Sequence, residues 1–162
     1  MSRGRAACRA ALTAGLFAAA VHAVAGEVPT YPEGAKAFQG SCAVCHGAAG
    51  GGIPSLAPPL VSYPAHYAGS AEGRRQLAMT VLNGLYGEIM VGDKRFDFRM
   101  PEFSSLDDAT LAAVLNFVVF DLAHAPADTK PLTAADIQAE RSHPVDGAVV
   151  REHRKAVVPS GG

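Results

Sequence analysis

A mainly α domain, with three to four short helices and one small β-hairpin, is the fold this sequence predicts, and three observations predict it. An aliphatic stripe of Leu111, Val114, Leu115, Val118, Val119 and Leu122 recurs at i, i+3, i+4, i+7, i+8 and i+11. Residues Ala71–Asn83 stand between Ser70, a capping residue, and Gly84, a stopping one. The stretch EIMVGDKRFDF has the pattern of two short strands turning at Gly92-Asp93.

In chain order, residues 1–25 form an address. Arg3, Arg5 and Arg9 make a positive n-region, Ala10 to Val24 is almost wholly apolar, and Ala23-Val24-Ala25 offers small residues before a cut at Gly26. This is the three-part pattern of a secretory signal peptide. The apolar run is shorter than the roughly 20 residues a permanent span requires. Cys8 precedes that run and does not suit lipid attachment at a cleavage site; His22 leaves with the peptide.

The domain proper is expected at residues 26–125. A first helix is predicted from about Pro32 to Ala43, with Pro32 at its start, where a missing N–H costs little. Residues 50–69 are Gly- and Pro-rich and read as loop. The second helix is Ala71–Asn83, and the third begins near Ser105 or Asp107 and carries the stripe. Those six aliphatic side chains would contribute roughly 1.5–3 kcal/mol each if fully buried. From Pro126 to Gly162 the chain becomes polar: an extension with one short helix at Ala134–Arg141, capped by Thr133, and frayed at VVPSGG. Two roles suit this extension, a loosely packed appendage or a docking segment for a partner, the second motivated by Arg141, Arg151, Glu152, Arg154 and Lys155.

Composition narrows the function. Fourteen Lys+Arg against fifteen Asp+Glu give a net charge of −1, so no basic field recommends a nucleic-acid partner. Removing residues 1–25 takes away three Arg and no acid, leaving −4. Cys42 and Cys45 remain, too close together for a bridge that removes much chain entropy. Three short helices and long loops make a thin core for an exported chain, and a large bound apolar group would fill it.

Cys42-Ala43-Val44-Cys45-His46 supplies that group, because C-x-x-C-H is the attachment pattern of c-type haem. Two thiols one helical turn apart add to the two porphyrin vinyl groups, and the next residue is carried beneath the ring to ligate iron. The rivals fit less well: a dithiol redox pair expects a βαβ context, and structural zinc needs a second pair of ligands. For the sixth iron position, Met79 reads as core filler and Met90 lies on the hairpin. Met100 is expected there, on a loop stiffened by Pro101, with His66 or an open position as alternatives. His124, His143 and His153 read as exposed tail residues. Arg74, Arg75 and Arg99 are possible partners of haem propionates, but solvated charge is the commoner fate; Tyr63 carries no assignment.

Gly34-x-x-x-Phe38-x-x-x-Cys42-x-x-Cys45-His46, then Pro58-Pro59-Leu60, Met100-Pro101 and LAAVLNFVVF together resemble the single-haem class I cytochromes c over roughly residues 31–124. The resemblance implies a class I fold, with three to four helices around one covalently bound haem c and the hairpin just before the axial Met loop. It implies that Gly34, Phe38 and Phe117 let the first and last helices cross closely. It also implies that a proline carbonyl, best Pro59 with Pro58 possible, accepts the His46 N–H. Bacterial cytochrome domains serving dehydrogenases or terminal oxidases are similar. The expected function is then a periplasmic electron carrier between a dehydrogenase donor and an oxidase acceptor, or the cytochrome subunit of such a complex. No catalytic residue, nucleic acid or permanent membrane span is expected, and the oligomeric state is left open. A peroxidase-like enzyme or a gas sensor would require Met100 to be off the iron or to leave it.

Overall fold

The computed structural model describes residues 28–157; the predicted signal peptide and residues 158–162 of the predicted frayed end lie outside them. The order is α1 (Pro32–Ser41), α2 (Ala43–His46), α3 (Tyr63–Ala68), α4 (Ala71–Asn83), β1 (Ile89–Val91), β2 (Lys94–Phe96), α5 (Asp108–Asn116), a π-helical segment (Phe117–Leu122), α6 (Ala134–Arg141) and α7 (Gly147–Val157). Among the described residues no helix is long and apolar enough to cross a membrane.

α4 has the bounds its local signals dictate. The Ser70 hydroxyl accepts from the Gly73 N–H at 3.0 Å, and Gly84 closes the helix at φ 71°. The hairpin turns at Gly92 (φ 61°) with Ile89 opposite Phe96 and Val91 opposite Lys94. Asp107 caps α5 through the Thr110 N–H at 2.7 Å. After Asn116 the helix widens to π, so that Ala123 N–H reaches the Val118 carbonyl. The extra residue turns Leu122 off the buried stripe; it is half-buried and packs beside Phe38, Phe117 and Val118.

α1 crosses α5 at backbone contact. A Cβ on Gly34 would stand 2.0 Å from the Ala113 carbonyl oxygen, and the Phe38 and Phe117 rings meet at 5.3 Å, tilted by 56°. No α1 side chain caps its own N-terminus. Asp121, from the π segment, accepts instead from the N–H groups of Thr30 (2.8 Å) and Tyr31 (3.0 Å). The principal core lies between α4 and α5, around Ala78, Leu82, Leu111 and Leu115, and includes Leu132 and Ile137 from beyond the expected domain.

Three expectations need correction. α3 forms within the stretch read as loop, because Pro64 sits in its first turn, where proline is pre-organised rather than disruptive. The first helix breaks at Cys42, so the attachment motif forms its own turn, α2. The extension carries two helices, and it is not loosely packed. Leu132, Ile137 and Val150 are at most 3% exposed, against α4, α5 and Leu85. Arg141 also ties the extension to the domain, donating to Asp108 at 2.7 Å and to the Ser104 and Leu106 carbonyls at 2.6 Å each, while Glu152 and Lys155 stay exposed. Arg74 and Arg75, possible propionate partners, bind this extension instead, Arg74 through Asp136 and the Pro131 carbonyl and Arg75 through Glu140.

Candidate haem site

One apolar cavity gathers the residues singled out in the sequence. Cys42, Cys45, His46 and Met100 all line it, with walls from α3, α4, the hairpin and α5. His66 does not line it and is exposed, as are His124 and His143. Met79 is buried in the core and Met90 stands exposed on β1.

The Cys-x-x-Cys-His turn is built by its own backbone. Cys45 and His46 both donate to the Cys42 carbonyl, at 3.1 and 3.0 Å, and Gly47 (φ 76°) ends the turn. The chain then folds back, with Gly52 N–H on the His46 carbonyl at 2.7 Å and Leu60 N–H on that of Gly50 at 2.7 Å. At Gly52 (φ 77°) a Cβ would stand 2.7 Å from Pro59 N and 2.8 Å from the Ala57 carbonyl oxygen, so the loop closes only over a glycine.

That closure decides the proline question. His46 Nδ1 lies 2.9 Å from the Pro58 carbonyl, so Pro58, not Pro59, holds the imidazole. A proton on Nδ1 directed at Pro58 leaves Nε2 with its lone pair free. The ring is 8% exposed, and burial lowers its pKa, with the Pro58 bond pulling weakly the other way. Cys42 and Cys45 form no disulfide with each other. Burial, then the neighbouring Cys45, pushes the Cys42 thiol up to about 11.

Met100 is fixed through its backbone. Its N–H donates to the Leu85 carbonyl at 2.8 Å and its carbonyl accepts from Leu85 N–H at 3.2 Å. Phe103 N–H on the Val81 carbonyl at 2.8 Å pins the loop two residues after Pro101. The thioether stem packs among Met79, Leu85 and Val150.

This donor set fits haem. A neutral imidazole, a thioether and two neighbouring thiols project into a greasy cavity whose described lining holds no carboxylate. Among the described residues no group of three His, Cys, Asp or Glu could hold a metal ion as zinc would require. Sequence reasoning missed Arg154 of α7, which lines the cavity, and His153 is not an exposed tail residue: its Nδ1 lies 2.6 Å from Oε1 of Gln76, a lining residue, and its Nε2 3.2 Å from Glu72. Neither carries a local signal, since both placements exist only because α7 packs on α4.

Comparison with known proteins agrees with this reading. The family model described as Cytochrome c matches residues 31–119. Cytochrome c-552 of Thermus thermophilus is 34% identical over 125 residues, covering 76% of this chain and 95% of that protein. A second cytochrome c-552, from a particular strain of the same organism, is likewise 34% identical over 125 residues, covering 76% of this chain and 84% of its own length.

Proposed function

This chain belongs to the cytochrome c family, whose members bind haem c covalently, and on that premise we propose that Cys42, Cys45, His46 and Met100 are its haem residues and that it carries single electrons between redox proteins. The observation that carries the reading is the convergence of His46 and Met100 on one cavity from loops pinned by the Pro58 and Leu85 carbonyls.

Haem supplies one chemistry when bound, the ferric–ferrous couple. The chain does the rest. Cys42 and Cys45 would hold the cofactor by thioether bonds, so it would survive dilution in an exported protein. Through Pro58, His46 keeps one tautomer and one ring orientation. Met100 gives a soft, neutral ligand that favours the reduced state relative to a second histidine. With His46 and Met100 both serving as ligands to the iron, oxygen, peroxide or an organic substrate would find no vacant site, and the chain would act as a carrier without a catalytic residue. The apolar walls exclude water and raise the cost of charge on the metal.

Residues 1–25 direct export, and the carrier works in the periplasm between a dehydrogenase donor and an oxidase acceptor, free or as a subunit of such a complex. The test is spectroscopic, on exported, matured protein. The wild type should be low-spin and show the long-wavelength ferric charge-transfer band of thioether ligation, and Met100→Ala should abolish that band while the haem stays attached. A high-spin wild type, or a Met100→Ala spectrum identical to it, would falsify the assignment.

A further inference from the structure

We propose that α7 completes the cofactor site, with Arg154 receiving a propionate carboxylate of the haem. This rests on the haem reading above and goes beyond it, because Arg154 lies in an extension that the family match, residues 31–119, does not reach.

The argument is one of unmatched donors. Among the described residues only two charged side chains, Arg99 and Arg154, line the otherwise apolar cavity, and no Asp or Glu does. Arg154 is half-buried on the packed side of α7, and among the described residues no carboxylate lies within ion-pair distance of it. The nearby acid, Glu152, is engaged by Arg151 (2.7 Å) and Lys155 (3.0 Å). One guanidinium N–H of Arg154 goes to the Met90 carbonyl at 3.0 Å, which holds the side chain between α7 and the hairpin; the guanidinium also stands against the Tyr67 hydroxyl, and its fork still has donors to spare.

Tyr67 stands beside Arg154 on the same cavity; the guanidinium faces its buried hydroxyl oxygen, and no acceptor among the described residues takes the hydroxyl proton. The other titratable residues lining the cavity are Tyr63, His46, Cys42 and Cys45, so no carboxylate of the described chain faces Arg154 there. A half-buried guanidinium without a counter-ion is costly, and so is a buried O–H without an acceptor. A carboxylate satisfies both, since it accepts a forked pair from arginine and a further bond from a phenol. Haem carries two such groups into a cavity that has none of its own. Arg74 and Arg75 are excluded because Asp136 and Glu140 already bind them.

The experiment is the midpoint potential of the full-length, matured holoprotein as a function of pH, for wild type, Arg154→Gln, Arg154→Lys and Arg151→Gln. A cation beside the haem favours the reduced form and lowers the propionate pKa. Arg154→Gln should therefore lower the potential and move the pH-dependent step about 1–3 pH units upward. Arg154→Lys should recover most of both, and Arg151→Gln, a cation on the same helix that does not line the cavity, should change neither. A structural role through Met90 alone would lower thermal stability and leave the pH profile in place, and that outcome overturns the proposal. If Arg154→Gln fails to fold, Arg154→Met, which keeps the alkyl stem without the charge, carries the same expectation, and a pH profile identical to wild type overturns the pairing. Failure of the haem reading looks different, as a wild type without attached haem or without Met100 ligation.

Discussion

The Asn116 side chain grips the backbone of Leu132 at both ends of its amide: Nδ2 donates to the Leu132 carbonyl at 2.9 Å, and Oδ1 accepts the Leu132 N–H at 2.8 Å. Both residues are buried, so the last residue of α5 acts as a one-residue strand for the extension. Asn116→Leu would leave two buried backbone groups unpaired, at about 1–3 kcal/mol each. Urea denaturation of the holoprotein should show a loss of about 2–4 kcal/mol with the haem spectrum unchanged. A loss well under 1 kcal/mol would mean that water takes over both bonds.

Gly34→Ala should be among the most disruptive single-methyl changes. Its Cβ would overlap the Ala113 carbonyl oxygen at 2.0 Å and approach the Phe117 Cβ at 2.9 Å, so α1 must lift from α5. Overpacking of this kind costs about 1–3 kcal/mol. Thermal melts should record it, and a melt equal to wild type would show that α1 does not cross α5 at backbone contact.

Gly84→Ala addresses the Met100 loop rather than the fold. At φ 71° an alanine there is strained by roughly 1–2 kcal/mol, and its Cβ would meet the Met100 carbonyl oxygen at 2.5 Å. The Leu85–Met100 pairing must open, so the variant should keep its attached haem and lose part of its thioether charge-transfer band. An intact band with lowered stability would separate the loop's position from the ligand's.

Acid should loosen the extension through Asp136. Burial raises the pKa of this carboxyl, but the Thr133 N–H and hydroxyl and the Arg74 guanidinium outweigh it and hold the group below the ordinary carboxylate value. With the folded pKa below the unfolded value of about 3.9, the stabilisation is complete above that value. It is lost as pH falls through the folded pKa. Asp136→Asn should therefore melt below wild type at neutral pH, and the gap should close as the pH falls through that depressed value. A pH-independent gap would mean that the Thr133 capping box, not the charge, carries the effect.

Much of this was legible residue by residue. Ser70 and Gly84 bound α4, Thr133 starts α6, and Gly92-Asp93 turns the hairpin, because caps and turns are chemistry between near neighbours. α3 was hidden by Pro64, which reads as a loop former unless its place in the first turn is known. α7 was hidden because its helix is secured by distant contacts: Val150 against Met79 and Leu85, Val145 N–H on Asn83 at 3.1 Å, and Tyr86 on Asp146. From the sequence alone, truncation after Ala125 is expected to spare the haem environment. With Leu132, Ile137 and Val150 in the core and Arg154 on the cavity, that cut removes part of the core and one lining residue.

Cys42-Ala43-Val44-Cys45-His46 and Met100-Pro101 determined by themselves the cofactor expected and the atoms to hold it, since thiol spacing and ligand type are properties of a few adjacent residues. Which carbonyl orients His46, and whether the extension touches the cavity, only the tertiary structure decided. Pro58 and Pro59 are indistinguishable until Gly52 closes the loop, and Arg154 is one more surface cation until α7 lies down on α4. Both depend on where a backbone or side chain ends up relative to residues far away in sequence, and local propensity carries no information about that.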